Sequence, residues 1–338
     1  MKGRPAKMGS AAALVLVLFI LLSILIFLLL PPTFQGEERR VLIPKGSTFR
    51  GVVQVLDEEG LLRSPFGFYL MARVLGVAGN VQAGEYELNT AMIPSVILRK
   101  LVSGDVVKYR VTIPEGFTVR QIADRLQELG IIQEQEEFLQ AAFSSDFDAM
   151  LGIEGAGVEG YLFPDTYLFP KEVAPAEVIK TMVGKFKRVY TPDFSLRASE
   201  LGMTDHEVVI LASIIEKETG LPEERPLVSA VFHNRLKRGI PLCSDPTVIY
   251  GIADFDGNLR KRDLETRTPY NTYLIQGLPP GPIANPGKAS IEAALYPAQV
   301  KYLYFVSRND GSHHFSATLR EHNQAVWRYQ RGGRGAVR

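Results

Sequence analysis

The sequence predicts an α+β protein with an N-terminal transmembrane helix, a small αβ region, and a larger mixed α+β domain after it. Three observations carry that expectation. An uncharged apolar run opens the chain, a strand–turn–helix pattern occurs twice behind it, and helical periods then alternate with loops rich in Gly, Pro, Tyr, Asn and Thr.

The apolar run covers residues 11–30 and is broken only by Ser23. Roughly 20 apolar residues, each rising about 1.5 Å, match a hydrocarbon core about 30 Å thick. Lys2, Arg4 and Lys7 precede the run, so the positive-inside rule places residues 1–10 in the cytoplasm and Thr33 onward outside. A cleaved signal peptide is the competing reading. The run is long, however, and ends in Leu28-Leu29-Leu30-Pro31-Pro32 without a small-x-small cleavage site.

Composition sets further bounds. The 338 residues are 46% hydrophobic and 22% charged, with a formal net charge of +1. No basic run with interleaved aromatics speaks for nucleic acid. Cys243 is the one cysteine, which excludes an intrachain disulfide and a multi-cysteine metal site.

The run from Val41 through Ile43-Pro44-Lys45-Gly46 to Arg50 recurs from Val111 through Ile113-Pro114-Glu115-Gly116 to Arg120. Each copy reads as a strand, a Pro-Gly turn, and a helix opened by Ser47/Thr48 or Thr118. Gly60 and Gly130 stand where left-handed C-caps are expected, followed by Leu61-Leu62 or Ile131-Ile132. Two copies are too few for a solenoid and read as two small αβ units. The run Tyr86–Thr90 and a helix over Pro94–Ser103 lie between them, and residues 134–151 look helical.

Beyond Glu159, helices are expected over Pro175–Val189, Thr204–Thr219, Glu223–Arg238, Ala289–Tyr296 and Leu319–Gln330, with strands at Lys301–Val306 and His314–Ser316. The connecting runs Gly160–Tyr167, Ser244–Tyr250, Thr268–Tyr273 and Gly277–Pro286 offer hydroxyls, amides and flat rings, a surface suited to a sugar.

The helix from Thr204 carries the most informative residue. Thr204 and Glu207 stand in capping-box spacing, and Val208 to Ile215 is almost wholly apolar. Glu216 and Glu218 near its end point to nearly opposite sides. Glu218 lies over Leu211, Ile214 and Ile215, so its carboxyl would be partly desolvated and its pKa raised, as a general acid requires. The alternative is a solvated helix end. Two acidic groups at a helix C-terminus oppose the macrodipole, which leans towards function.

Six motifs now carry a resemblance: Ile214-Ile215-Glu216-Lys217-Glu218-Thr219, Val231–Leu236, Ser244–Gly251, Tyr270-Asn271-Thr272-Tyr273, Gly277–Ile283 and Tyr302–Phe305. In this order the chain resembles the endolytic murein transglycosylases of the YceG-like family. The resemblance implies a LysM-like subdomain at 41–105 and a catalytic domain at 106–335, with a second LysM-like unit near 111–142.

It further implies cleavage of the β-1,4 bond between N-acetylmuramic acid and N-acetylglucosamine without water, leaving 1,6-anhydro ends, with Glu218 as acid and base. Asp245, Thr247, Tyr250, Asn271, Thr272, Tyr273 and His313 are the expected substrate-binding residues. Cys243 stands where the family commonly has Gln. No metal or organic cofactor is implied. The expected partners are peptidoglycan strands, the membrane and peptidoglycan synthases, with the catalytic part outside the cytoplasmic membrane. A lysozyme-type muramidase and a non-catalytic glycan-binding membrane anchor remain the alternatives. Asp165 is expected to serve its own turn, and Arg235 a structural ion pair.

Overall fold

The computed structural model describes residues 14–19, 22, 23, 26, 30–144, 147, 149 and 157–331. Two compact units emerge: Met1–Tyr109 with Leu168–Glu172, and Arg110–Tyr167 with Val173–Arg338.

In the first unit β1 (Glu38–Ile43) leads to α1 (Phe49–Glu58), α2 (Pro65–Val74), β2 (Gly84–Asn89) and α3 (Pro94–Ser103). The Thr48 and Ser64 side chains accept from Gly51 N and Gly67 N, satisfying N–H groups that the helices leave open. Gly60 takes the left-handed conformation (φ 67°) and lets Leu61 N bond back to Leu56 O, closing α1. β1 runs antiparallel to β2 with Val41 opposite Tyr86. Alternate strand residues Val41, Ile43, Tyr86 and Leu88 point inward onto Leu56, Leu61 and Phe68.

The internal similarity is a duplication of five elements. β3 (Tyr109–Thr112), α4 (Val119–Glu128), α5 (Gln135–Ala142), β4 (Thr166–Phe169) and α6 (Pro175–Val189) follow the same strand–helix–helix–strand–helix order, and β3 pairs with β4. Val111, Ile113, Leu126, Ile131 and Phe138 are buried, as are their counterparts Val41, Ile43, Leu56, Leu61 and Phe68. Of the expected helix over 134–151, α5 occupies the first part. Residues 145, 146, 148 and 150–156 lie outside the described residues.

The rest of the second unit is mainly helical: α7 (Pro192–Glu200), α8 (Asp205–Glu218), α9 (Arg225–Lys237), α10 (Asp245–Tyr250), α11 (Lys261–Leu264) and α12 (Lys288–Leu295). The hairpin β5 (Tyr304–Ser307) and β6 (His313–Ser316) follows, then α13 (Leu319–Val326) and a π turn, Trp327–Arg331. α8 is the spine. Val208 to Ile215 are all buried, and α9 and α12 pack against it. Its β-branched residues are indifferent helix formers, so burial rather than propensity holds this helix.

Three expectations are corrected. The predicted transmembrane helix over 11–30 is not supported: among the described residues no helix is long and apolar enough to cross a membrane. Residues 11–13, 20, 21, 24, 25 and 27–29 of that run lie outside the described residues. The strand expected from Lys301 begins only at Tyr304. The carbonyls before it are taken by α9, where Asn234 Nδ2 donates to Val300 O and Tyr302 O and Arg235 Nε donates to Leu303 O. Finally, the Gly277–Pro286 run is only partly a surface loop, because residues 281–286 are buried. Ser213 on α8 binds it there, accepting from Ile283 N at 3.0 Å.

Candidate active site

The capping box expected at Thr204 is complete, with Thr204 Oγ1 accepting from Glu207 N and the Glu207 carboxylate accepting from Thr204 N. At the other end Thr219 turns extended (φ −143°, ψ 135°) and stops the helix, leaving Glu218 as its last residue.

The two glutamates diverge there. Glu216 Oε2 accepts from Gly287 N at 2.9 Å at the start of α12, and its Oε1 lies 3.5 Å from Arg225 Nη2. It is a structural clamp. Glu218 turns towards the loop before α10. It is half-buried, and Ser244 Oγ donates to its Oε1 at 2.5 Å. Burial, first of all, pushes the Glu218 carboxyl up to about 7. The Ser244 bond pulls down, the negative charge of Asp245 pushes up, and the positive charge of Arg235 pulls down. At neutral pH this group is divided between acid and carboxylate, so it can give a proton and take one back.

Behind Ser244 stands a chain of buried hydroxyls. Thr272 Oγ1 accepts from Ser244 N at 2.9 Å and contacts Thr247 Oγ1 at 2.8 Å, and Thr247 Oγ1 donates to Ser244 O at 2.6 Å. Asn271 is equally buried: its amide donates to Leu264 O and Thr266 O and accepts from Tyr273 N. Of the expected binding residues, Thr247, Asn271 and Thr272 therefore spend their polar groups on ordering the loop beside Glu218.

Asp245 and Tyr273 are the reachable pair. Asp245 is exposed, Tyr273 is half-buried, and the Tyr273 hydroxyl donates to Asp245 Oδ1 at 2.6 Å. Burial and that bond raise the Tyr273 phenol. Cys243 is exposed with φ 47°, its N–H held by Thr272 O, and burial of its sulfur raises the thiol. Among the described residues Arg235 has no ion-pair partner of the kind expected. Its guanidinium donates to Leu242 O, Pro241 O and Leu303 O and lies over the Tyr304 ring. Asp165 behaves as expected, accepting from Thr166 N and pairing with Lys185 at 2.7 Å.

His313 is brought in from β6. Its Nδ1 lies 2.7 Å from Glu224 Oε2, and its backbone N donates to Glu224 Oε1. Thr219 Oγ1, next in sequence to Glu218, donates to the same Glu224 carboxylate at 3.3 Å. Tyr250 goes elsewhere, donating to Glu159 Oε2 at 3.2 Å with its ring against Tyr270.

Ser244, Glu224 and Glu159 were not found by sequence reasoning. Glu159 is buried, accepts from Val119 N, Asn285 Nδ2 and Tyr250, and is pushed up to about 7 by burial. Apart from Thr219, five residues from Glu224, their partners lie far away in sequence, and nothing local marks them. The only available signal was position, since Glu159 opens the Gly-Tyr-Leu-Phe-Pro run and Ser244 opens the Asp-Pro-Thr run.

A family model described as the YceG-like family matches residues 41–328. An endolytic murein transglycosylase of Bacillus subtilis (strain 168) is 34% identical over 305 residues, covering 85% of this chain and 83% of that protein. One of Streptococcus pneumoniae serotype 2 is 29% identical over 315 residues, and there the match spans only 57% of the relative's length. A crystal structure of a yceG-like protein from Listeria monocytogenes superposes with a TM-score of 0.59 at 33% identity, covering 86% of this chain and 99% of that one.

Proposed function

The chain belongs to the YceG-like family, and from that premise we propose that it is an endolytic lytic transglycosylase of peptidoglycan with Glu218 as its acid and base. The observation that carries the reading is a half-buried carboxyl, raised to about 7, at the end of a buried helix with the Ser244 hydroxyl donating to it.

Protonated Glu218 gives its proton to the glycosidic oxygen between N-acetylmuramic acid and N-acetylglucosamine. The C1–O bond breaks and positive charge develops on the muramic ring. Glu218, now ionised, takes the proton of that sugar's C6 hydroxyl, and O6 closes on C1. The products are a 1,6-anhydro end and a free 4-hydroxyl; no water is consumed, and Glu218 ends protonated as it began. One carboxyl serves both halves by microscopic reversibility, where a hydrolase employs two. Asp245, Tyr273 and His313 are the reachable groups for holding the strand. Ser244 and the threonines behind it fix the carboxyl's orientation. We place the reaction outside the cytoplasmic membrane, where the substrate lies. A working partnership with peptidoglycan synthases rests on the resemblance alone, and co-purification tests it.

The decisive experiment is product analysis of digested sacculi by mass spectrometry, wild type against Glu218→Gln. Anhydro ends, one water lighter than a hydrolase's products, are expected from wild type and not from the variant. Reducing ends in place of anhydro ends, or undiminished cutting by the variant, would refute the reading.

A further inference from the structure

The outward face of α13 and its π turn forms a recess of about 770 Å³ lined by Leu319, Arg320, Asn323, Gln324, Trp327 and Arg328. The opposite face of the same helix is committed. Ala325 is buried, His322 stacks on Tyr304 at 5.1 Å, and Tyr329 packs on His314. Asn309 Nδ2 donates to Tyr329 O and Gln330 Nε2 to Ser307 O, which ties the turn to the β5–β6 hairpin. The helix is thus tied to the hairpin, and Trp327 is left 68% exposed. A large indole left in water is an unusual use of apolar surface.

The chemistry of the lining selects the ligand. Leu319, Asn323 and Trp327 lie along one helical stripe, so an amide interrupts what a lipid-inserting face would keep apolar. Asn323 and Gln324 both give and accept hydrogen bonds, Arg320 and Arg328 offer forked donors for carboxylates, and Trp327 offers a flat ring. Among the described residues of this helix and turn, Arg320, Arg328 and Arg331 stand against one acidic residue, Glu321, whose carboxylate accepts from Ala317 N and Thr318 N, so the local charge favours an anion. We infer that this recess is a second glycan-binding site, taking a polymer of acetamido sugars that carries carboxylates. The indole stacks on a pyranose face, the amides bond acetamido and hydroxyl groups, and the two arginines pair with lactyl or peptide carboxylates. The choice of glycan over other anions rests on the proposed function. For a polymeric substrate, a second foothold on the same body raises the local concentration of strand at the first.

Trp327 is the sole tryptophan, so its fluorescence reads this recess and nothing else. The test uses the full chain carrying Glu218→Gln, which keeps glycans intact. Titration with the N-acetylglucosamine tetramer and with soluble muropeptide-bearing strands should shift Trp327 emission saturably. The carboxylate-bearing strands should bind about tenfold tighter, a preference lost in Arg320→Ala/Arg328→Ala, as expected for a charge-assisted contact. Trp327→Ala should pellet less with purified sacculi. Emission unmoved by either glycan overturns the inference, as does a shift produced by phosphatidylglycerol vesicles and not by glycans. Because the readout is independent of cutting, failure of the cutting reading leaves this result interpretable, and the reverse also holds.

Discussion

Replacing Ser244 by alanine should move the alkaline limb of the pH–rate profile upward. Ser244 Oγ donates to Glu218 Oε1 at 2.5 Å, and this bond favours the ionised carboxyl. A hydrogen bond to a charged group contributes about 1.5–3 kcal/mol. At about 1.4 kcal/mol per pKa unit, its loss raises Glu218 by about one to two units, from about 7 to about 8–9. The acid step needs the protonated form, so the rate of anhydro-product formation in wild type should fall as pH rises through 7. In Ser244→Ala the same fall should come about one to two units later. Below pH 7 the variant keeps its acid and should lose only what poorer orientation of the carboxyl costs, about tenfold or less. The assay is kcat/KM for anhydro-end formation across the pH range. A limb that stays near 7, or moves to lower pH, would show that Ser244 does not govern the Glu218 proton.

Other perturbations separate the remaining contributions. Asp245→Asn removes a negative charge that raises Glu218, so the same limb should move to lower pH, opposite to the serine variant; an unmoved or rising limb refutes the electrostatic assignment. Glu216→Ala strips Arg225 and Gly287 N of their buried partner, and thermal or urea melting should show a loss of about 3 kcal/mol. Glu159 is raised from 4.5 to about 7, so the stability contributed by its neutral form is complete below its unfolded pKa and lost as pH rises through 7, about 3 kcal/mol in all. Melting followed from pH 5 to pH 8 in a Glu218→Gln background should show that slope, and Glu159→Gln should flatten it; an unchanged slope assigns it elsewhere.

What could be read from the sequence was local. Pro175–Val189 and Pro94–Ser103 appear with the expected bounds because proline at the first turn and the chemistry of the last residues act within a few positions. The Thr204 capping box and the divergence of Glu216 from Glu218 follow from helix geometry alone. What could not be read depends on partners distant in the chain. Ser244 meets Glu218, Glu224 meets His313, and Glu159 meets Val119, Tyr250 and Asn285 only once the helices have packed. The same gap hid the internal partners of Thr247, Asn271 and Thr272, which are expected as substrate-binding residues and are buried with their polar groups bonded inside the protein. A buried polar side chain and a ligand-facing one are identical in a string of letters, and only the count of satisfied hydrogen bonds separates them.

The choice of a hydroxyl rather than a cation as Glu218's direct partner follows from the work assigned to it. An arginine within bonding distance of a carboxylate lowers its pKa by about one to three units. Applied here, that would leave almost no acid at neutral pH. Arg235 is close enough for its charge to be felt, yet its guanidinium is committed to the carbonyls of Leu242, Pro241 and Leu303. Its charge offsets part of the cost of ionising Glu218 without capturing the carboxylate. Two residues earlier on the same helix, Glu216 receives the opposite treatment, a guanidinium and a backbone N–H. One turn of helix thus carries two carboxyls whose roles are divided by the groups that face them, and redirecting a cation onto Glu218 should abolish its acid function while leaving the fold in place.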